Sequence, residues 1–409
     1  MNYYEDFDQQ KQKKKTPAAL ILVIFLLSNA LTFFLAVNYA SGGLSSENEI
    51  ANEYIEKMLF LRDELQKDFL WEIDEEQLWI SATKGMMQGS GDVYSGYMTG
   101  EEYESYNTQN SASFEGIGIQ MSVDVTGYYI EVIKVYADSP AHKSGLKTGD
   151  KIVSADGVSL EGSTTNHAAS LIRGEKGTTV KLGILRGDSK EVIYYDILRD
   201  TIKNTFVTYK MLDSSIGYIF VSEFADEVGD NVKLAVEELT KKGMKGLILD
   251  LRQNPGGNVS DAVQIADMLL PKTEIMYTLN NEGYKRTTYS DESFYNIPLI
   301  VLIDENSASA SEIVAGTLQD NDRAVIIGTK SFGKGIIQSL KFMKDGAMYK
   351  MTTQEYYFPS GKKIHGIGIT PDTEVKQDEK YAKTLVEMIP EGKDLQLNEA
   401  ISRLKKEMK

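Results

Sequence analysis

Three short segments carry residue types whose spacing could do chemistry. The first is Asp250-Leu-Arg-Gln-Asn-Pro-Gly-Gly257. A glycine pair at a strand-to-helix turn can leave backbone N–H groups free near a helix N-terminus, which suits an anion or an oxyanion. A plainer reading also fits: glycine merely permits a positive φ in a tight turn. The second segment is Asp304-Glu-Asn-Ser-Ala-Ser-Ala-Ser-Glu312. A helix cap needs one hydroxyl, so three serines exceed that need, and the small alanines leave a hydroxyl accessible as a nucleophile. The plainer reading is a capping box from Ser309 to Glu312. The third is Gly328-Thr-Lys-Ser-Phe-Gly-Lys-Gly335, followed by Ile-Ile-Gln338. It has the outline of a phosphate loop, but Gly335 stands where a magnesium-binding hydroxyl is required, and IIQSLKF after it reads as a strand. Nucleotide binding is not expected.

Taken together the segments suit acyl transfer. A nucleophilic serine needs a base, and no histidine sits near a suitable loop. Lysine can serve if burial lowers its pKa. A fall from about 10.4 to near 8 costs on the order of 3 kcal/mol of ammonium stability. Lys334 lies among glycines, Phe332 and Ile336, which can supply that desolvation. A helix over 311–320 climbs roughly 15 Å and a strand over 324–328 returns roughly 16 Å, bringing Lys334 back to the level of Ser309. If 334–338 is extended, Lys334 and Gln338 share one face, and Gln338 can orient the lysine.

The elements that must position these groups follow from periodicity. Residues 46–70 and about 75–88 read as helices, with a short helix near 100–106. From 113 to 199 the pattern is short β runs with turns, interrupted by one helix near 164–173. From 216 onward, strand and helix alternate: IGYIFVSEF, NVKLAVEELTKKG, MKGLILDL, VSDAVQIADMLL, PLIVLID, ASEIVAGTLQD, RAVIIG. That order predicts an α/β domain with a largely parallel sheet. The charged tail 376–409 reads as helical, packing with the 46–70 helix.

Residues 17–38 carry no charge and follow Lys11, Lys13, Lys14 and Lys15. A run of about 20 apolar residues spans a bilayer, and the cationic flank stays in the cytoplasm. An uncleaved signal anchor is expected, with a cleaved signal peptide as the alternative. Either way the chain beyond residue 40 lies outside the cytoplasm. Cysteine is absent, which excludes disulfide scaffolds, cysteine nucleophiles and iron–sulfur clusters. His142, His167 and His365 are scattered, so no histidine-built metal site and no cofactor are expected. A net charge of −16 argues against nucleic acid as a partner.

The motifs NSASASEI (306–313), TKSFGKGIIQ (329–338), LRQNPGG (251–257) and GIGITPD (366–372) resemble the carboxyl-terminal processing proteases, tail-specific serine peptidases with a Ser–Lys dyad. The resemblance covers nearly all of the chain after about residue 50. It implies an α/β protease core of the crotonase/ClpP-like type, with an inserted β-rich PDZ domain, flanking helices and an N-terminal transmembrane helix. Boundaries are expected at 1–16 (cytoplasmic tail), 17–38 (anchor), 39–112 (N-terminal helical region), 113–199 (PDZ), 200–375 (peptidase core) and 376–409 (C-terminal helical region). It puts the nucleophile on Ser309, the general base on Lys334, the supporting amide on Gln338, and the oxyanion donors on the N–H groups of Gly257 and Ala310. Two departures stand out: Thr329-Lys330-Ser331 replaces the family's usual Glu-Thr or Glu-Pro-Thr, and Asn258 follows the glycine pair where leucine is common.

The PDZ expectation rests on Gly116-Ile117-Gly118-Ile119, a strand start whose N–H groups can hold a terminal carboxylate, and on the turns of SPAHKSGLKTGDKIVSADG at 139–157. Substrates are then proteins or peptides with apolar free C-termini, and Arg173 is a candidate for coupling tail binding to the core. Arg173 also fits as a solvated cation at a helix C-terminus. The resemblance further implies a homodimer formed through the terminal helices. Two rivals stand beside a peptidase: a non-catalytic PDZ scaffold, and a Ser–His–Asp hydrolase using His365.

Overall fold

In a computed structural model of the protein, residues 46–408 are described, apart from 112, 137, 188, 214 and 383. The expected cytoplasmic tail and the expected anchor at 17–38 lie outside the described residues. Among the described residues no helix is long and apolar enough to cross a membrane. The chain divides into two compact units at Ser81/Ala82.

In the first unit, helix Ser46–Asp68 leaves Ile50, Tyr54, Phe60 and Leu61 exposed. Helix Glu75–Gln88 begins here with acids in its first turn, where the helix dipole favours negative charge.

The second unit opens with strand Gly96–Met98 and helix Gly100–Asn110, capped by Thr99 and Glu102 acting reciprocally. The segment 113–203 forms a β-rich body. Its sheet runs Ile119–Val123, Ile130–Val135, Lys151–Ala155, Thr179–Leu185, Ile193–Leu198, with Ile119–Val123 at the edge. Ile130, Val132, Ile152, Leu182, Ile184 and Ile197 point into one core and are fully buried. Gly116–Ile119, expected as the start of one strand, is divided between two. Ser113–Gly116 pairs with Asp200–Lys203, Ile119–Val123 pairs elsewhere, and the chain breaks at Gly118 with φ +79°. A Cβ on Gly118 would lie 2.3 Å from Ser139 Cβ, so glycine is required there.

The remaining core holds two sheets. One has parallel strands Ile216–Val221, Gly246–Asp250, Leu299–Ile303 and Val325–Gly328, edged by antiparallel Val207–Met211 and by parallel Thr373–Glu374. The first three of these parallel strands are buried at every position, as near-continuous apolar runs require when both faces are covered. Helices Val228–Lys241, Val259–Leu269 and Ala310–Asp320 cover one face. The other sheet is antiparallel, ordered Gly96–Met98, Met348–Tyr357, Glu274–Asn280, Lys285–Tyr289, with Ile336–Phe342 also on Met348–Tyr357. Sequence reading found only the Ile336–Phe342 strand of this sheet, because strands such as Lys-Arg-Thr-Thr-Tyr289 are half exposed and carry no apolar run.

The tail departs from expectation. Among the described residues of 376–394 the one helical element is a 3₁₀ turn at Val386–Met388, because Pro390 and Gly392 interrupt the pattern, and the helix proper is Leu395–Glu407. Ala400 and Leu404 cover the second face of the parallel sheet against Ile248, Ile300 and Leu302. Buried Arg252 fixes that packing: it donates to Asp250 and to both carboxylate oxygens of Asp394, at 2.8 Å each for Asp394. The tail's partner is thus the core sheet.

Candidate active site

Ser309 ends the loop that follows strand Leu299–Ile303 and precedes helix Ala310–Asp320. Its φ is +54° and its ψ −112°, a conformation that β-carbon-bearing residues rarely hold unless the surroundings enforce it. The enforcing contacts come from the flanking residues. Ser307 Oγ donates to Leu251 O at 2.8 Å, Ser311 Oγ donates to Asn254 O at 3.0 Å, and Ala308 N–H donates to the same Asn254 O at 3.0 Å. Two of the three serines therefore bind the loop to the Asp250–Gly257 segment, and the middle one is left at the surface of the junction, 9% exposed.

The glycine pair lies against it. A Cβ on Gly256 would meet Ala308 O at 2.6 Å, Ser309 Cβ at 2.8 Å and Ala310 N at 2.9 Å. Gly257 has φ +137°, and a Cβ there would lie 2.2 Å from Phe224 O. Phe224 N–H donates to Gly256 O at 2.8 Å and Asn258 N–H to Phe224 O at 2.7 Å, a parallel bridge that turns the Gly257 N–H the other way. Among the described residues neither Gly257 N–H nor Ala310 N–H has an intramolecular acceptor. Both readings of the glycines hold at once: the turn needs them, and it leaves donors free.

Lys334 reaches the same junction through its backbone. Glu312 is fully buried and accepts four hydrogen bonds: Ser309 N–H (2.9 Å), Lys334 N–H (2.8 Å), Gly333 N–H (2.7 Å) and Ser331 Oγ–H (2.5 Å). Tyr356 Oη bridges Ser309 O (3.2 Å) and Lys334 O (3.1 Å) from below. The capping-box partner of Ser309 is thus also the tie between the serine loop and the lysine loop. Burial pushes the Lys334 ammonium below the usual lysine range; the charge of Lys350 adds to this, and Asp92 and Glu312 oppose it.

The side chains are not assembled. Lys334 Nζ lies 4.7 Å from the centroid of the Tyr94 ring, and among the described residues it makes no hydrogen bond to Ser309 or Gln338. Gln338 Nε2 donates instead to Thr352 Oγ1 at 3.1 Å. The expectation that Lys334 and Gln338 share a face assumed unbroken alternation. The strand begins only at Ile336, so Lys334 precedes it and alternation does not reach back to it; the register also shifts opposite Gln338, where Thr353 of the partner strand is the extra residue. Among the described residues, buried His365 Nδ1 has no hydrogen-bond partner, and His365 makes no hydrogen bond to Ser309. Among the described residues no group of three or more His, Asp or Glu side chains is placed to hold a metal ion.

Some 380 Å³ of cavity separates the β-rich body from the core. Gly116, Ile117, Gly118 and Ile119 line it, with Ala169, Ile172 and Arg173 from helix Thr165–Ile172 and its cap, and Phe206 and Glu223 from the core. Ile117 itself is buried in the β core, where its carbonyl accepts from Ala141 N–H at 2.8 Å. Arg173 is half-buried, and its guanidinium is held below its usual range by that burial. Burial likewise raises the Glu223 carboxyl. Glu223 precedes Phe224, so the floor of the groove is continuous in sequence with the bridge that shapes Gly257.

Sequence reading did not find Tyr94, Tyr356 or Glu223. Tyr94 sits in a Gly/Ser/Asp cluster that signals only a helix end. Tyr356 falls in a half-exposed strand, and Glu223 in an ordinary acidic loop.

The model of "Peptidase family S41" matches residues 215–375, and that of "PDZ domain" matches residues 116–194. The chain is 34% identical over 366 residues to the carboxy-terminal processing protease CtpA of Bacillus subtilis (strain 168), covering 89% of this chain and 78% of that protein. It is 38% identical over 321 residues to the carboxy-terminal-processing protease of Bartonella bacilliformis, covering 75% and 72%. In fold it matches a putative S41 protease from Bacteroides fragilis, with TM-score 0.51 and 16% identity over 85% of this chain and 97% of that one. The chain belongs to the carboxy-terminal processing proteases, serine peptidases of family S41 with a PDZ domain.

Proposed function

We propose that Ser309 Oγ attacks the scissile carbonyl and that neutral Lys334 takes its proton. The oxyanion then accepts from the N–H groups of Gly257 and Ala310, and the Lys334 ammonium gives its proton to the leaving amine. Water releases the acyl group by the same route. Gln338 orients the lysine once its side chain leaves Thr352. The observation that carries this is the Glu312 carboxylate, which spends its hydrogen bonds on tying Ser309 N–H and Lys334 N–H into one junction beside two free amides.

The PDZ groove reads free apolar C-termini. An incoming tail adds to the open edge of Ile119–Val123, places its carboxylate at Gly116–Ile119 and its last side chain toward Ile172, with Arg173 beside it. Gating of the core by that tail is supported by the run from Glu223 through Phe224 to Gly257. The anchor at 17–38 holds the peptidase outside the cytoplasm at the cell membrane. A homodimer forms through terminal helices, which the exposed apolar residues of Ser46–Asp68 support.

The test is labelling with an active-site-directed fluorophosphonate. An adduct on Ser309, formed much more slowly in Lys334→Ala, is the expected result. An adduct on Ser307 or Ser311 in its place would overturn the assignment.

A further inference from the structure

The turn Asp92–Ser95 has no role in the reaction as described, yet it touches Lys334 and also Thr352, the residue that holds Gln338. Tyr94 N–H donates to Asp92 Oδ1 at 3.0 Å and Ser95 Oγ donates to Asp92 Oδ2 at 2.5 Å, so the acid organises the turn. Burial acts to raise the Asp92 carboxyl, but hydrogen bonds from Ser95, Thr352 and the turn's backbone hold it below the usual range, as a carboxylate. Thr352 N–H donates to Ser95 Oγ at 3.0 Å, and the next strand, Gly96–Met98, pairs with Met348–Lys350. The turn is therefore pinned to the strand Met348–Tyr357. From that seat it presents the Tyr94 ring to Lys334 Nζ at 4.7 Å, while Thr352, its anchor, accepts from Gln338 Nε2.

We propose that Tyr94 is a positioning residue for proteolysis: its ring parks the Lys334 side chain away from Ser309, and the Asp92–Ser95–Thr352 set parks Gln338 in the same step. An aromatic face attracts the ammonium and not the neutral amine. The parked lysine is therefore held protonated, and it must leave the ring to act as a base. Release and deprotonation become one event. The groups that face Lys334 are the Tyr94 ring and Asp92 from the turn, Glu312 from helix Ala310–Asp320, and Lys350 from strand Met348–Tyr357. Lys350 opposes the ammonium; the ring and the two acids favour it.

The inference rests on Lys334 as the base, which Lys334→Ala tests separately: a Lys334→Ala protein that still cleaves removes the base and leaves Tyr94 nothing to position. For Tyr94 itself, the full chain is compared as wild type, Tyr94→Leu and Tyr94→Phe. The readout is kcat/KM against pH on an unfolded peptide with an amidated C-terminus, which limits the tail's contribution. Tyr94→Leu should turn over about three- to tenfold faster, and its rising limb should move to lower pH by about half to one unit. Tyr94→Phe keeps the aromatic face and should restore the wild-type profile. A Tyr94→Leu profile that superimposes on wild type, a slower Tyr94→Leu with an unmoved limb, or a Tyr94→Phe that behaves as Tyr94→Leu would each overturn the proposal. Should Tyr94→Leu fail to fold, Ser95→Ala carries the test, since a loosened turn should move the limb in the same direction by a smaller amount and an unmoved limb overturns the idea.

Discussion

The serine–lysine junction and the PDZ groove are built on opposite principles. At the junction, polar groups are tied, apart from the two amides of Gly257 and Ala310 described above: Glu312 accepts four hydrogen bonds, the Tyr356 hydroxyl bridges two carbonyls, and Ser307 and Ser311 are held to the neighbouring loop. The groove leaves half-buried charges, Arg173 and Glu223, without an ion-pair partner among the described residues. The saturated network fixes a backbone, and that suits donors which must stand ready for an oxyanion. An open groove with unpaired charge suits a surface that must accept many tails. The side chains of Lys334 and Gln338 are held on Tyr94 and Thr352, so the step left for a regulator is small: to move two side chains on a rigid frame.

The largest effect expected from breaking the junction is loss of turnover. Ser309→Ala and Lys334→Ala should each lower kcat/KM by about 10⁴-fold or more, and the double variant should be no worse than either, because the pair acts as a unit. Lys334→Arg should be as inactive, since a guanidinium does not deprotonate. All four should bind a free-tail peptide normally. In the wild type, burial lowers the Lys334 pKa, so the active amine forms as pH rises through that lowered value, and the rate should climb at a pH below the usual lysine range. Stopped assays on these variants check this. Robust cleavage by Lys334→Ala, or a His365→Ala variant as inactive as Ser309→Ala, contradicts the dyad.

Next comes the oxyanion loop. Gly257→Ala places a Cβ 2.2 Å from Phe224 O at φ +137°, so the loop must shift. Loss of one oxyanion donor costs about 10²–10³ in kcat. KM and tail affinity should change little, which separates this variant from one in the groove. An equal fall in tail affinity would show that the two regions are not separate.

How much of this was legible in the sequence differs between the regions. The buried parallel strands could be read because apolar runs such as LIL at 247–249 and LIVLI at 299–303 have no other use, and the loops at their ends inherited their place from them. The antiparallel sheet could not, since its half-exposed strands alternate weakly. Pairing Ser309 with Lys334 rested on counted rises along helix and strand, and the two loops do adjoin. Pairing Lys334 with Gln338 rested on period-two alternation over 334–338, but the strand starts only at Ile336, a boundary that no residue type announces. Arg173 was visible as a cation after a helix; Glu223 was not, because its meaning depends on the groove around it.

The groove can be sharpened on its own terms. A free carboxylate gains charge-assisted hydrogen bonds from the Gly116–Ile119 loop worth roughly 1.5–3 kcal/mol, so amidating a tail should weaken binding about ten- to a hundredfold. Titrating matched acid and amide peptides measures it. Equal affinities would mean that the loop does not read carboxylates.

The smallest effect is the most discriminating, because it concerns a group that works against binding. Glu223 lines the same cavity as the carboxylate loop, and burial raises its pKa. Above that pKa its charge repels an incoming carboxylate; below it, the neutral acid does not. A like-charge pair at partial exposure costs on the order of 1 kcal/mol, or about fivefold in affinity. Glu223→Gln should therefore bind a free-tail peptide about fivefold more tightly at neutral pH. The gain should shrink as pH falls through the raised carboxyl pKa, where wild-type Glu223 is itself neutral, and it should shrink with added salt. The amide peptide should show no such gain. If Glu223→Gln improves acid and amide tails alike, the effect is shape and not charge. If it weakens both, Glu223 holds the groove together, and the contrast between a satisfied junction and an unsatisfied groove fails at the residue that joins them.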